Sequence, residues 1–130
     1  MATYPADYRY TREHEWIKVD GDNGTVGITD HAQNSLGDIV YIDLPKIGSD
    51  IKARETFGSV ESVKAVSDLY APVSGKVIEV NDDLSNAPEK INADANSTWM
   101  IKLQITDRSS LDGLMDSASY ENYIKEEGAH

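Results

Sequence analysis

Lys64 is the side chain of this sequence whose setting points to chemistry. It stands in Glu61-Ser62-Val63-Lys64-Ala65, a primary amine between two short hydrophobic runs. Upstream, Thr56-Phe57-Gly58-Ser59-Val60 has strand-forming residues, and downstream Ala65-Val66-Ser67-Asp68-Leu69-Tyr70 alternates apolar and polar as a half-buried strand does. Val63-Lys64 falls at the bend between them. Tight two-residue turns favour Asn-Gly, Asp-Gly or glycine where φ must be positive, whereas here a β-branched valine sits beside the lysine. A poor turn former at a turn implies that the tip is kept for another reason. A lysine taken at random is an ordinary solvated side chain, so it is context, not residue type, that singles out Lys64.

The other reactive residue types form no constellation. His14 and His31 match no metal-ligand spacing, and no cysteine completes a set, so each reads as a surface or locally hydrogen-bonded histidine. Serines and aspartates are plentiful, but none lies in a nucleophile elbow or a glycine-rich phosphate loop. Nothing in the sequence argues for enzyme activity. The absence of cysteine also excludes disulfides and thiol catalysis.

The elements around Lys64 must present it. Gly48 lies sixteen residues before it and Gly75 eleven after, in Ile47-Gly48-Ser49-Asp50 and Pro72-Val73-Ser74-Gly75, contexts that read as chain reversals. Gly37-Asp38-Ile39-Val40-Tyr41-Ile42 and Gly75-Lys76-Val77-Ile78-Glu79-Val80 share a pattern at a spacing of 38 residues, with Lys64 between the copies. Two copies are too few for a solenoid but suit two similar half-sheets folded over one core. Chance recurrence of such a pattern in a β protein explains the likeness equally well.

In chain order, Tyr8-Arg9-Tyr10 and Glu15-Trp16-Ile17-Lys18-Val19 read as strands, and Asp20-Gly21-Asp22-Asn23-Gly24 turns the second into Thr25-Val26-Gly27-Ile28. Thr29 or Asp30 caps a short helix through about Leu36, which Gly37 ends. Ile39-Val40-Tyr41-Ile42 is a strand stopped by Pro45. Residues 81–96 read as a polar loop with one helical turn near Ala87-Pro88-Glu89-Lys90. Residues 99–105 form the last strand, with Met100 alternating away from Trp99 and Ile101. Ser109 or Ser110 caps a turn through Leu114, and Ser117 caps a final helix over 118–126 whose Tyr120, Tyr123 and Ile124 share a packing face.

At 130 residues the chain is expected to be one domain, 1–130, with an ordinary globular composition of 39% hydrophobic and 27% charged residues. A net charge of -11 argues against nucleic acid and against anionic lipid, and suits partners with basic docking faces. No apolar run approaches a membrane span. Met1-Ala2-Thr3-Tyr4-Pro5-Ala6-Asp7 resembles neither a secretory signal nor a transit peptide, so the expected compartment is the cytoplasm, or the mitochondrial matrix if a presequence has been removed.

Glu61-Ser62-Val63-Lys64-Ala65, the flanking glycines and Ala71-Pro72-Val73-Ser74-Gly75-Lys76-Val77 together resemble a lipoyl-carrier site. The wider chain resembles the H-protein family of the glycine cleavage system. The likeness takes in His14-Glu15-Trp16, Val26-Gly27-Ile28-Thr29-Asp30-His31-Ala32-Gln33, Leu36-Gly37-Asp38-Ile39-Val40, Trp99-Met100-Ile101-Lys102 and an acidic tail ending in His130.

That resemblance implies a mainly β barrel-sandwich hybrid with short peripheral helices and a C-terminal helix. It also implies lipoate attached to Lys64 on a hairpin recognised through Glu61, Val63, Ala65, Gly48 and Gly75. The implied role is a non-catalytic shuttle. It takes an aminomethyl group from a pyridoxal-phosphate glycine decarboxylase to a tetrahydrofolate-dependent aminomethyltransferase, and the reduced arm to dihydrolipoyl dehydrogenase with its FAD and NAD. A lipoate ligase or a lipoyl/octanoyl transferase would load the lysine. Glu15 and Asp68 are the implied carboxylates of a cleft that shelters the labile amine. Ser35 stands where relatives can carry a histidine.

A lipoyl domain of a 2-oxoacid dehydrogenase would lack His14-Glu15-Trp16 and the C-terminal helix, and a biotin carrier would place methionines where Val63 and Ala65 stand. A relay handing lipoyl groups to other complexes and an unmodified interaction domain are the remaining readings.

Overall fold

The computed structural model describes residues 4–128, so Met1, Ala2, Thr3, Ala129 and His130, the last being the end of the tail quoted above, lie outside the described residues. One sheet has six strands in the order β1 (Tyr8–Tyr10), β2 (Glu15–Asp20), β3 (Asn23–Ile28), β9 (Ile101–Asp107), β8 (Ser74–Val80) and β5 (Asp50–Ile51). The other has three, in the order β4 (Ile39–Asp43), β6 (Thr56–Ser62) and β7 (Val66–Tyr70). Every pairing between these strands is antiparallel.

Strand alternation places the core between the sheets. Ile101, Leu103 and Ile105 of β9 and Ile17 and Val26 of the first hairpin join Ile39, Ile42, Val60 and Leu69 of the smaller sheet in one buried cluster. Each such side chain contributes roughly 1.5–3 kcal/mol by leaving water. The two similar segments indeed lie in different sheets, one around β4 and the other in β8. The architecture is the mainly β one expected, with α1 (Asp30–Leu36), α2 (Asp83–Asn86), α3 (Lys90–Ala93) and α4 (Ser117–Gly128) at the periphery.

The first hairpin forms as its turn residues dictate, with Asp20 paired to Asn23. Thr29 caps α1, its hydroxyl accepting the Ala32 amide at 3.2 Å, and Gly37 ends the helix at φ 80°. A second apolar cluster ties α4 to the larger sheet: Tyr120 stacks on Tyr10 at 4.7 Å between ring centroids, with Tyr4 and Trp16 beside them.

Several local expectations are corrected. Residues 81–96 hold two helical turns, α2 and α3, because Leu84 and Ile91 are buried in the core inside an otherwise polar stretch. Trp99 and Met100 precede β9, and Met100 is as buried as Ile101 rather than opposed to it. The 3-10 helix at Arg108–Gly113 is capped by Asp107, which accepts the Ser109 amide, and the start of α4 by Asp116, which accepts the Ser119 amide. In β7 only the far end is buried: Val66 is 68% exposed and Ser67 and Asp68 are open, while Leu69 is in the core. Gly75 is no chain reversal. It lies within β8, where a β-carbon would stand 2.6 Å from the Gln104 carbonyl oxygen of β9. Gly48, at φ 93° in an exposed turn, fits its expectation.

Candidate functional site

The β6–β7 ladder ends at Glu61 and Val66, and the four residues between them make the tip. Ser62 shapes it. Its amide donates to the Ala65 carbonyl at 2.8 Å, and its hydroxyl accepts the amides of Lys64 at 3.3 Å and Ala65 at 3.1 Å. The same hydroxyl donates to the Ala65 carbonyl at 3.2 Å, using both lone pairs and its proton. A serine side chain thus replaces the positive-φ residue that a tight turn ordinarily needs. Among the described residues only His14 and Arg54 combine a side chain with positive φ, so Val63 and Lys64 sit at the tip without backbone strain.

The tip is also anchored from outside the hairpin, the Val63 amide donating to the Asp38 carbonyl at 3.0 Å. Glu61, Val63, Lys64 and Ala65 are all exposed, Val63 to 69%. The Lys64 Cε atom lies 3.7 Å from the place where Gly37 would carry a β-carbon, so the aliphatic stem crosses the bare face of that glycine. Gly48 and Gly75 are elsewhere, on the β5–β8 edge of the six-stranded sheet, where Ile51 pairs with Gly75 and the Gly48 amide donates to Val77.

Glu15, the first residue of β2, is 1% exposed. The chain folds back just before it, with His14 at φ 72° and the Thr11 amide donating to the Glu15 carbonyl at 2.9 Å. Thr11 serves both ends of the glutamate. Its hydroxyl accepts the Glu15 amide at 3.0 Å and donates to Oε1 at 2.5 Å, while Oε2 accepts the Tyr70 amide of β7 at 3.2 Å. Burial pushes the carboxyl up to about 7, against the pull of the hydrogen bonds from Thr11 and Tyr70. No lysine or arginine pairs with it among the described residues. Its hydrogen-bond partners among the described residues are neutral donors, so the negative charge of its ionised form is not offset by a neighbouring cation.

Asp68 is exposed on β7, paired with Ser59 and two residues before Tyr70. The strand that leaves the lysine tip therefore passes Asp68 and then the amide held by Glu15. From Lys64 the extended chain spans about 13 Å to Asp68 and about 20 Å to Tyr70. Ser35 is exposed near the end of α1. Spacing alone showed neither Thr11 and Tyr70 as the partners of Glu15 nor the turn-forming role of Ser62; the hydroxyl three residues before Ala65 was the available signal for the latter.

His14 is bonded across the fold, to a residue 106 positions away, and not locally as expected. The His14 Nδ1 atom shares a hydrogen bond with the Tyr120 hydroxyl at 2.7 Å, and the His14 and His31 ring centroids lie 4.6 Å apart. No metal-binding group of three or more ligands exists among the described residues, and no helix there is long and apolar enough to cross a membrane.

The profile of the glycine cleavage H-protein family matches residues 8–127. The glycine cleavage system H protein of Acidobacterium capsulatum is 61% identical over 98% of both chains. That of Koribacter versatilis is 58% identical over the same shares. A crystal structure of the Mycobacterium marinum glycine cleavage system H protein superposes with a TM-score of 0.87 at 37% identity, covering 94% of this chain and 99% of that one. With a lysine on a protruding tip, a mainly β scaffold around it and near-full-length relatives of one kind, the chain belongs to the glycine cleavage H-protein family, non-catalytic carriers that bear lipoate on a lysine and shuttle intermediates among the components of that system.

Proposed function

We propose that Lys64 is the lipoylated residue and that Glu15 and Asp68 hold the amine of the loaded arm. The observation that carries the first assignment is the tip itself: Lys64 stands exposed on a turn built by Ser62 and tied to Asp38, so a modifying enzyme can enclose the amine while the backbone stays ordered. Such order lowers the entropic cost of presenting the same lysine to several active sites. When attached, lipoate supplies a disulfide that accepts and releases the one-carbon unit. The chain's own residues supply position, reach and shelter.

Glu15 supports the second assignment through its buried, cation-free carboxylate, which a cationic amine completes electrostatically. Asp68 adds charge on the strand between tip and cleft. Glu61, Val63 and Ala65 are the side chains beside Lys64 that a modifying enzyme meets, and Gly48 and Gly75 act at a distance by shaping the neighbouring sheet. The named partners in this reading are glycine decarboxylase, aminomethyltransferase, dihydrolipoyl dehydrogenase and a lipoate ligase or lipoyl/octanoyl transferase. Residues 1–130 act as one carrier domain in the cytoplasm.

Intact mass and peptide mapping of the protein from lipoylating cells test the attachment. A gain of one lipoyl amide on Lys64, abolished in Lys64→Arg, is the expected result. A biotinyl gain, or lipoate on another lysine, overturns the assignment.

A further inference from the structure

The lysine tip rests on a shelf, and the shelf is fastened by a residue far away in sequence. Asn92 lies on α3, next to Ile91, which is fully buried in the core. Its side chain crosses to the segment between α1 and β4. Oδ1 accepts the Ile39 amide at 2.9 Å, and Nδ2 donates to the Gly37 carbonyl at 2.9 Å and to Gln33 Oε1 at 3.0 Å. The two backbone partners settle the orientation of this amide, since Ile39 N–H can only donate and Gly37 C=O can only accept. Gln33, buried on α1, is oriented in turn by donating to Asp30 Oδ1 at 2.9 Å and Asn34 Oδ1 at 3.1 Å.

Asn92 therefore pins both sides of Asp38. The Asp38 carbonyl is the group that accepts the Val63 amide, one residue before Lys64, and Gly37 is the residue that the Lys64 stem crosses. Gly37 sits at φ 80°, ψ -154°, a conformation open essentially to glycine alone, so its peptide does not hold this orientation by steric preference. Beyond the Gly37 amide's bond to the Gln33 carbonyl, Asn92 is the side chain that bonds to both flanks of Asp38.

We infer that Asn92 is a positioning residue for the lysine arm: it locks the Gly37–Asp38 shelf on which the hairpin tip is held and over which the Lys64 side chain lies. It acts through Gly37 and Asp38, whose backbone groups it bonds on either side. The link to lipoyl transfer rests on the assignment of Lys64 as the modified residue.

Asn92→Asp and Asn92→Ala separate this role from simple structural support. Aspartate keeps the acceptor for Ile39 but turns an oxygen toward the Gly37 carbonyl and Gln33 Oε1, whereas alanine removes every bond. Amide hydrogen exchange by NMR is the first readout. Loss of the clamp should speed exchange at Val63 about tenfold in both variants, the effect of one hydrogen bond on a local opening. The amides of Met100 and Ile105, bonded to Val26 and Asp22 in the larger sheet, should not change. The second readout is enzymatic lipoylation, where KM should rise severalfold with kcat nearly constant.

Unchanged exchange at Val63 overturns the inference, as does restoration of wild-type exchange by aspartate. Equal acceleration of all amides marks a merely structural residue and overturns it too. In the unsubstituted protein the Asn92 side-chain amide protons and the Val63 amide should open together; independent exchange rates there overturn the inference even if the variants fail to fold. If the wild-type protein takes no lipoate at Lys64, the attachment site fails while the exchange data still decide the role of Asn92.

Discussion

Glu15 and Tyr70 join the two sheets: the carboxylate of β2 accepts the backbone amide of β7 at 3.2 Å, across 55 residues of sequence. The bond forms where water is excluded, and burial moves the carboxyl from an ordinary 4.5 to about 7. The native state thus holds this proton more tightly than the unfolded chain. Its contribution to stability is fully present below about pH 4.5 and is lost as pH rises through about 7. The loss is on the order of 3 kcal/mol for a shift of this size. Glu15→Gln, neutral at every pH, should therefore gain on the wild type between pH 4.5 and 8. Urea unfolding of both proteins at the two ends of that range measures the difference; a constant gap would show that Glu15 titrates normally in the folded chain.

Ser62 is the next test, because its hydroxyl shapes the tip with three hydrogen bonds at an exposed site. Ser62→Ala should lower global stability by less than about 1 kcal/mol, since water replaces the lost partners. Presentation of Lys64 should suffer more than stability does. The expected signature is a raised KM for enzymatic lipoylation together with a nearly unchanged unfolding midpoint. An unchanged KM would place the turn's geometry in the flanking strands instead.

What could be read in advance follows the range of the forces involved. The Asp20–Gly24 turn, the Thr29 cap and the Gly37 stop are set by neighbours within four residues, and each was legible. The caps at Asp107 and Asp116 were displaced by one or more residues because adjacent serines offer nearly the same chemistry. Strand β7 shows a longer-range limit. It reads as a half-buried strand, but the hairpin runs past the edge of the core, so Leu69 is buried while Val66 is exposed. The burial of Glu15 and the clamp formed by Asn92 depend on partners 55 and 53 residues away, which no local pattern contains.

Gly48 and Gly75 looked alike in sequence and differ in cause. Gly48 is held at φ 93° with open space around its α-carbon, so Gly48→Ala should cost about 1–2 kcal/mol of backbone strain. Gly75 has no positive φ and sits at a register shift of β8 against β9, where a β-carbon would stand 2.6 Å from the Gln104 oxygen and 3.3 Å from the Leu103 Cβ. Neither obstacle is a flexible side-chain end. Gly75→Ala should therefore cost more than Gly48→Ala, about 3 kcal/mol, by forcing β8 away from β9. Thermal unfolding of the two variants ranks them, and the reverse order would contradict the close approach of these strands.

The cleft assignment makes the sharpest functional prediction. A cationic amine beside Glu15 would supply the missing counter-charge, favour the ionised carboxylate and be held there by it. Asp68, exposed on the same strand as Tyr70, would act through a more solvated and weaker attraction. Glu15→Gln should therefore shorten the lifetime of the methylamine-loaded protein several-fold, and Asp68→Asn should shorten it less. Lysine acceptance of lipoate should survive in both, because neither residue bonds to the Ser62 turn or to its Asp38 anchor. Release of ammonia and formaldehyde from purified loaded protein gives the lifetime directly. Equal lifetimes in both variants and the wild type would remove these carboxylates from the path of the arm, whereas a larger effect at Asp68 than at Glu15 would place the amine on the open strand instead of in the buried site.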